Sequence, residues 1–164
     1  MIERRYLIGG LALGGALIGA PMLFAKSSSR PKGEPGWQLS EAEWKRRLTP
    51  FQYKILREAG TERPFTSALN NEHRPGIFSC AGCALPLYSS KTKYDSKTGW
   101  PSFWSPLKGA IATMTDYEIG VPRTEVHCRR CGGHLGHVFN DGPKPTGKRY
   151  CMNGAAMTFR AGAA

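Results

Sequence analysis

Cys80-Ala-Gly-Cys83 and Cys128-Arg-Arg-Cys131-Gly-Gly-His134-Leu-Gly-His137-Val-Phe139 are the stretches on which a reading of the fold turns. In each Cys-x-x-Cys, two thiols flank a tight turn and can face one point. Two such knuckles supply the tetrahedral sulfur set that suits Zn²⁺. The 44 residues between Cys83 and Cys128 exceed the spacing of an ordinary zinc ribbon, so the fold has to bring the knuckles together. Ala81, Gly82, Gly132 and Gly133 leave room for the turns. Disulfides or a redox Cys-x-x-Cys are the competing readings. Two closely similar pairs favour one shared ion, held by Cys80, Cys83, Cys128 and Cys131. A site closed by four sulfurs has no open position for substrate, so this single zinc is assigned to folding.

Outward from the knuckles, the chain changes character at Phe65. Before it, Ser40-x-x-Glu43 is a capping box opening a short helix through Trp44 and Leu48, and Thr49-Pro50-x-Gln52 opens a second, with Gly60 as its C-cap. After it come brief apolar and aromatic runs separated by Gly, Pro, Asn and Asp: Gly76–Ser79, Leu85–Tyr88, Ala110–Thr115, Glu125–His127, His137–Phe139, Arg149–Asn153 and Ala156–Phe159. Such spacing predicts antiparallel strands with functional loops. The fold class is therefore mainly β with two short N-terminal helices and a structural zinc site. The 164 residues suit one domain, placed at 39–164, after a Ser/Pro/Gly linker at 26–38.

Residues 1–25 have a separate logic. Arg4-Arg5 precedes 19 residues, Leu7 to Ala25, with no charged side chain, five of them glycine. A positive start followed by a mild apolar stretch reads as an export signal, and Arg4-Arg5-Tyr-Leu-Ile resembles a twin-arginine signal with Glu3 where Ser or Thr is usual. Leu23 in place of a small residue makes the cleavage site after Ala25 imperfect, so an uncleaved tether through 7–25 stays open beside a cleaved signal. Either way the domain is expected outside the cytoplasm, in a bacterial periplasm. The net charge of +11, from 23 Lys+Arg against 12 Asp+Glu, is scattered with no basic run longer than three, which reads as a solvated surface and not a nucleic-acid interface.

Four of the five cysteines are assigned, which leaves Cys151 in Arg149-Tyr-Cys-Met-Asn153. A lone cysteine is more often a small buried hydrophobe. Here His134, His137, Arg149 and Asn153 are close in sequence, and cationic neighbours favour a thiolate. With four sulfurs already on the metal, the two histidines are not needed as ligands.

Gly99-Trp-Pro-Ser-Phe103, Cys128-x-x-Cys131-Gly-Gly-His-Leu-Gly-His-Val-Phe139, Asp141-Gly-Pro143 and Arg149-Tyr-Cys-x-Asn153, in that order, resemble the methionine-R-sulfoxide reductases (the MsrB family), with similarity from about Trp44 to Phe159. The resemblance implies a zinc-supported, Mss4-like β-tent and thiol-dependent reduction of the R epimer of methionine sulfoxide in oxidised proteins or peptides. It makes Cys151 the nucleophile, His137 with His134 the proton-donating pair, Asn153 an orienting group, and Trp100 the surface for the substrate's S-methyl group, with Phe139 and Arg149 as further substrate contacts. Many members carry a resolving cysteine before Gly-Trp-Pro-Ser-Phe, where this chain has Thr98. The implied cycle therefore uses one cysteine, and an external thiol or dithiol, thioredoxin-like or other, reduces the Cys151 sulfenic acid. A monomer is expected. The competing reading is a basic zinc-ribbon module that binds nucleic acid or protein without chemistry, which leaves Cys151 and its neighbours unexplained.

Overall fold

A computed structural model describes residues 31–117 and 119–164. The expected export signal or tether at 1–25, and the start of the linker, lie outside the described residues. No described helix is long and apolar enough to cross a membrane.

Both capping boxes form as written. Helix α1 (Glu41–Arg47) starts where Ser40 Oγ accepts from the Glu43 amide and Glu43 accepts in return from the Ser40 amide. Helix α2 (Pro50–Glu58) starts with the same exchange between Thr49 and Gln52. Its C-cap differs from the sequence expectation: Ala59, at φ 52°, takes the left-handed position, and Gly60 follows it with its amide on the Lys54 carbonyl. The helices bury Trp44, Ile55 and Leu56.

Nine strands follow among the described residues: β1 (Gly76–Cys80), β2 (Pro86–Ser89), β3 (Lys93–Tyr94), β4 (Ser102–Phe103), β5 (Ile111–Asp116), β6 (Arg123–Cys128), β7 (His134–Phe139), β8 (Arg149–Met152) and β9 (Met157–Ala161). They form a three-stranded sheet, β2-β1-β9, and a six-stranded sheet, β3-β4-β8-β7-β6-β5, with every pair antiparallel. β3 and β4, two residues each, are absent from the sequence expectation because two residues show no alternation. Phe78, Leu87 and Tyr88 of the small sheet meet Phe103, Val126, Leu135 and Met152 of the large one, all fully buried. Tyr88 stacks on Phe103 with ring centroids 4.3 Å apart and donates its hydroxyl to Met152 Sδ at 3.2 Å. Burying a side chain of this size contributes about 2 kcal/mol, so this aromatic contact between sheets is a main source of stability.

The expected linker does not stay clear of the domain. From residue 31 it lies on the second knuckle: the Glu34 amide donates to the Arg130 carbonyl at 2.8 Å, and Trp37 stacks on Trp44 with Arg130 over its ring.

One irregularity matters for function. β6 and β7 pair Val126 with Gly136 but His127 with His134, so Leu135 is an extra residue, a β-bulge. The crowding is severe at Gly136, where a Cβ would sit 2.1 Å from the Cys151 carbonyl oxygen. Gly136→Ala is therefore expected to lower stability by about 2 to 3 kcal/mol, read as a fall in the urea midpoint at unchanged slope.

Candidate functional site

Side chains alternate along a strand, so residues three apart normally face opposite ways. The extra Leu135 cancels that rule and places His134 and His137 on one face, ring centroids 5.5 Å apart. Cys151 lies directly across from His137 on one side and from Ser102 on the other, and His137 lies across from Glu125. Directly opposed residues share a face, so the register alone lines up Ser102, Cys151, His137 and Glu125. Arg149 and Phe139, each two residues along, face the same way, with the guanidinium 4.3 Å from the ring centroid. The opposite face carries Phe103, Met152 and Val126 into the core.

Each histidine is held by a carboxylate that sequence reading did not single out. His134 Nδ1 meets Glu125 Oε1 at 2.7 Å, and His137 Nε2 meets Asp116 Oδ2 at 2.8 Å. Ionised carboxylates only accept, so in each pair the facing ring nitrogen carries the proton. Asp116 also pairs with Arg123. Burial would push the Glu125 carboxyl up, but the His134 hydrogen bond and the surrounding imidazoles outweigh it and hold it below its ordinary value. Burial pulls His137 below the usual histidine range, against the upward pull of Asp116. His134 Nε2 is buried and meets no hydrogen-bond partner among the described residues. Nothing in the spacing of Asp116 or Glu125 marks them; only the register of β5, β6 and β7 brings them to the histidines.

Asn153 sits just past the end of β8, 4% exposed. Its backbone amide and its Nδ2 both donate to the Leu135 carbonyl, at 2.8 and 3.2 Å, and its Oδ1 accepts from the Glu62 amide. It holds the bulge that aligns the histidines and bonds to neither of them. Trp100 is half-buried, its indole N–H donating to the Glu62 carbonyl at 3.1 Å. The buried Glu62 carboxylate accepts from the Gly154 and Ala155 amides, so this residue ties Trp100 to the segment that follows Cys151. Sequence reading passed over it.

Cys151 is a free, half-buried thiol. Its Sγ lies 3.7 Å from Thr98 Oγ1. The other four sulfurs are buried together, all within 4.8 Å of one another, with 3.7 Å between Cys80 and Cys131 and 3.5 Å between Cys83 and Cys128. A disulfide needs about 2.05 Å. Metal–sulfur bonds of about 2.3 Å in a tetrahedron put sulfurs about 3.8 Å apart, so the set could hold a zinc ion. The hydrogen bond from Cys131 holds Cys128 below the usual thiol range, and the same contact drives Cys131 up. The ends of β1 and β6 carry Cys80 and Cys128, so the cluster also joins the two sheets.

The molecule is thus a mainly β protein in which four sulfurs form a closed set that could hold a metal ion and a fifth, Cys151, lies outside it beside two carboxylate-held histidines. The SelR domain matches residues 48–161. "Peptide methionine sulfoxide reductase MsrB" of Leptospira interrogans serogroup Icterohaemorrhagiae serovar Lai is 53% identical over 122 residues, covering 74% of this chain and 93% of that protein. The protein of the same name from Agrobacterium fabrum is 54% identical over 121 residues, covering 73% and 90%. "Peptide methionine sulfoxide reductase B1, chloroplastic" of Arabidopsis thaliana is 54% identical over 124 residues, covering 75% of this chain and 61% of that longer protein. The chain belongs to the methionine-R-sulfoxide reductase (MsrB) family.

The His137 shift has a pH consequence. A histidine whose folded value is lowered leaves the unfolded chain to take the proton first, so its contribution to stability is intact above about pH 6.5 and is lost as pH falls from there through the folded value. NMR titration should find His137 titrating below 6.5, and Asp116→Asn should lower it further by removing the carboxylate that opposes burial.

Proposed function

We propose that this chain reduces the R epimer of methionine sulfoxide, in oxidised proteins or peptides, to methionine, with Cys151 as nucleophile and zinc on the four-cysteine set. The observation that carries the reading is the placement of the one sulfur outside the cluster, in register beside a carboxylate-held histidine on an accessible face.

The Cys151 thiolate attacks the sulfoxide sulfur while the sulfoxide oxygen is protonated. The oxygen passes to Cys151 as a sulfenic acid while the substrate's sulfur–oxygen bond and the sulfur–sulfur bond formed by the attack both break, and the thioether leaves. His137, with His134 beside it, supplies the proton from its imidazolium form; Asp116 and Glu125 fix the rings and stabilise that charged form until the proton is given up. Trp100 offers an apolar wall for the S-methyl group, with Phe139 and Arg149 further along the face. An external thiol then attacks the sulfenic acid, releasing water and leaving a mixed disulfide, and a second thiol frees Cys151. All four other cysteines belong to the cluster and Thr98 stands beside the sulfur, which supports a one-cysteine cycle with a thioredoxin-like or other thiol donor. Zinc would be held by Cys80, Cys83, Cys128 and Cys131, where it would tie the end of β1 to the end of β6 and supply folding stability. Arg4-Arg5 and the uncharged run at 7–25 support export, by a twin-arginine-like signal, to a bacterial periplasm, with or without a retained tether.

Cys151→Ser is expected to abolish turnover of R-sulfoxide in a dithiothreitol-coupled assay, with the S epimer inert for both proteins, while zinc content and the unfolding midpoint stay at the wild-type level. Turnover surviving in that variant would overturn the reading. Arg4→Lys with Arg5→Lys should keep a fused reporter inside the cell; unchanged export would overturn the twin-arginine assignment.

A further inference from the structure

Thr98 does not stand alone beside Cys151. Its Oγ1 lies 2.8 Å from Ser96 Oγ, Ser96 Oγ lies 2.7 Å from Ser102 Oγ, and Ser102 Oγ donates to the Trp100 carbonyl at 3.1 Å. With the 3.7 Å contact to the thiol, that makes four contacts in one unbranched chain from Cys151 to Trp100. Ser102 is fully buried, and Ser96 and Thr98 are half-buried.

Counting protons fixes the direction. A hydroxyl has one proton to give and can accept two, and a carbonyl only accepts. When Cys151 is a thiol, four protons serve four contacts, and one arrangement fills them all. Ser102 gives its proton to Trp100, so it accepts from Ser96; Ser96 must then accept from Thr98; and Thr98 accepts from the Cys151 S–H. Ionisation removes one proton from the chain. A thiolate requires a donor, so the hydroxyls reverse: Thr98 donates to sulfur, Ser96 to Thr98, Ser102 to Ser96. Three protons then fill three of the four contacts, and with all three hydroxyls reversed the one given up is between Ser102 and the Trp100 carbonyl, at the far end.

We infer that Thr98, Ser96 and Ser102 form a reversible hydroxyl relay, in which Thr98 is a catalytic residue that donates to the Cys151 thiolate and the two serines are positioning residues that set which way its proton points. This rests on Cys151 being the nucleophile. The position that a resolving cysteine would occupy thus carries a group that stabilises the attacking form of the sulfur, through a charge-assisted hydrogen bond. The far end of the relay is the backbone of Trp100, so the ionisation of the thiol and the carbonyl of the substrate-binding tryptophan are read by one chain of bonds.

Two measurements on the zinc-loaded protein test it. The first is the pH dependence of iodoacetamide alkylation at Cys151. Thr98→Val, nearly the same shape without a hydroxyl, should raise the midpoint and slow alkylation at pH 7 by about tenfold, the loss expected for one hydrogen bond to a charged group in a partly exposed site. Thr98→Ser should restore it. The second is the infrared S–H stretch, which would report on Cys151 alone because in the zinc-loaded protein the four clustered sulfurs would be metal ligands without an S–H. The wild-type band should lie at the lowered frequency of a hydrogen-bonded donor. Ser96→Ala, which does not touch the sulfur, leaves the Thr98 proton no other hydrogen-bond acceptor among the described residues, so that it turns onto sulfur and should return the band to the free position. An unchanged alkylation midpoint in Thr98→Val, or an S–H band indifferent to Ser96→Ala, overturns the relay; if the valine variant does not fold, the infrared comparison decides. Activity in Cys151→Ser would instead remove the nucleophile assignment and leave the hydroxyl geometry standing.

Discussion

Strand register is the constraint from which the site follows. β8 lies between β4 and β7, and that order sets Cys151 directly between Ser102 and His137 on one face of the sheet. A one-residue slip would turn Cys151 into the core and Tyr150 or Met152 out to the face. The register is fixed from behind. Met152 and Phe103, on the buried side of the same strands, are locked against Tyr88 of the other sheet. Packing on one face thus decides chemistry on the other.

The bulge at Leu135 is the second device, a departure from regularity. A regular β7 would present only one of its two histidines. The extra residue presents both, and the carbonyl it frees is taken up by Asn153. The geometry therefore gives Asn153 a different position from the one drawn from spacing: it supports the strand that carries the imidazoles and does not bond to them. Glu62 does similar work from the opposite side, joining Trp100 to the turn after Asn153 through a buried carboxylate and its own backbone. Loss of either residue would disturb the site through its frame.

Much of this was legible in the residues. The two capping boxes, the paired knuckles and the surplus cysteine are local signals, and each has its counterpart in the structure. What escaped was whatever depends on pairing between distant strands. Asp116 and Glu125 look like ordinary surface charges along β5 and β6, and only the antiparallel register delivers them to His137 and His134. β3 and β4 are too short to carry a period, yet β4 is the strand that borders Cys151. Ala59 in place of Gly60 at the end of α2 shows the ordinary slack of one residue in cap placement. The stretch from 31 to 37, polar and rich in Pro and Gly, reads as a linker because composition does not reveal that Trp37 has a partner in Trp44.

The division of the five sulfurs into four that clamp an ion and one that takes up oxygen is the claim on which the rest stands. Native mass spectrometry of the protein after one equivalent of R-sulfoxide, with no reductant present, addresses it directly. The account predicts a zinc-bound species that has gained a single oxygen atom, mapped to Cys151 by peptide analysis. A metal-free species carrying a disulfide among Cys80, Cys83, Cys128 and Cys131, with Cys151 unmodified, would contradict it.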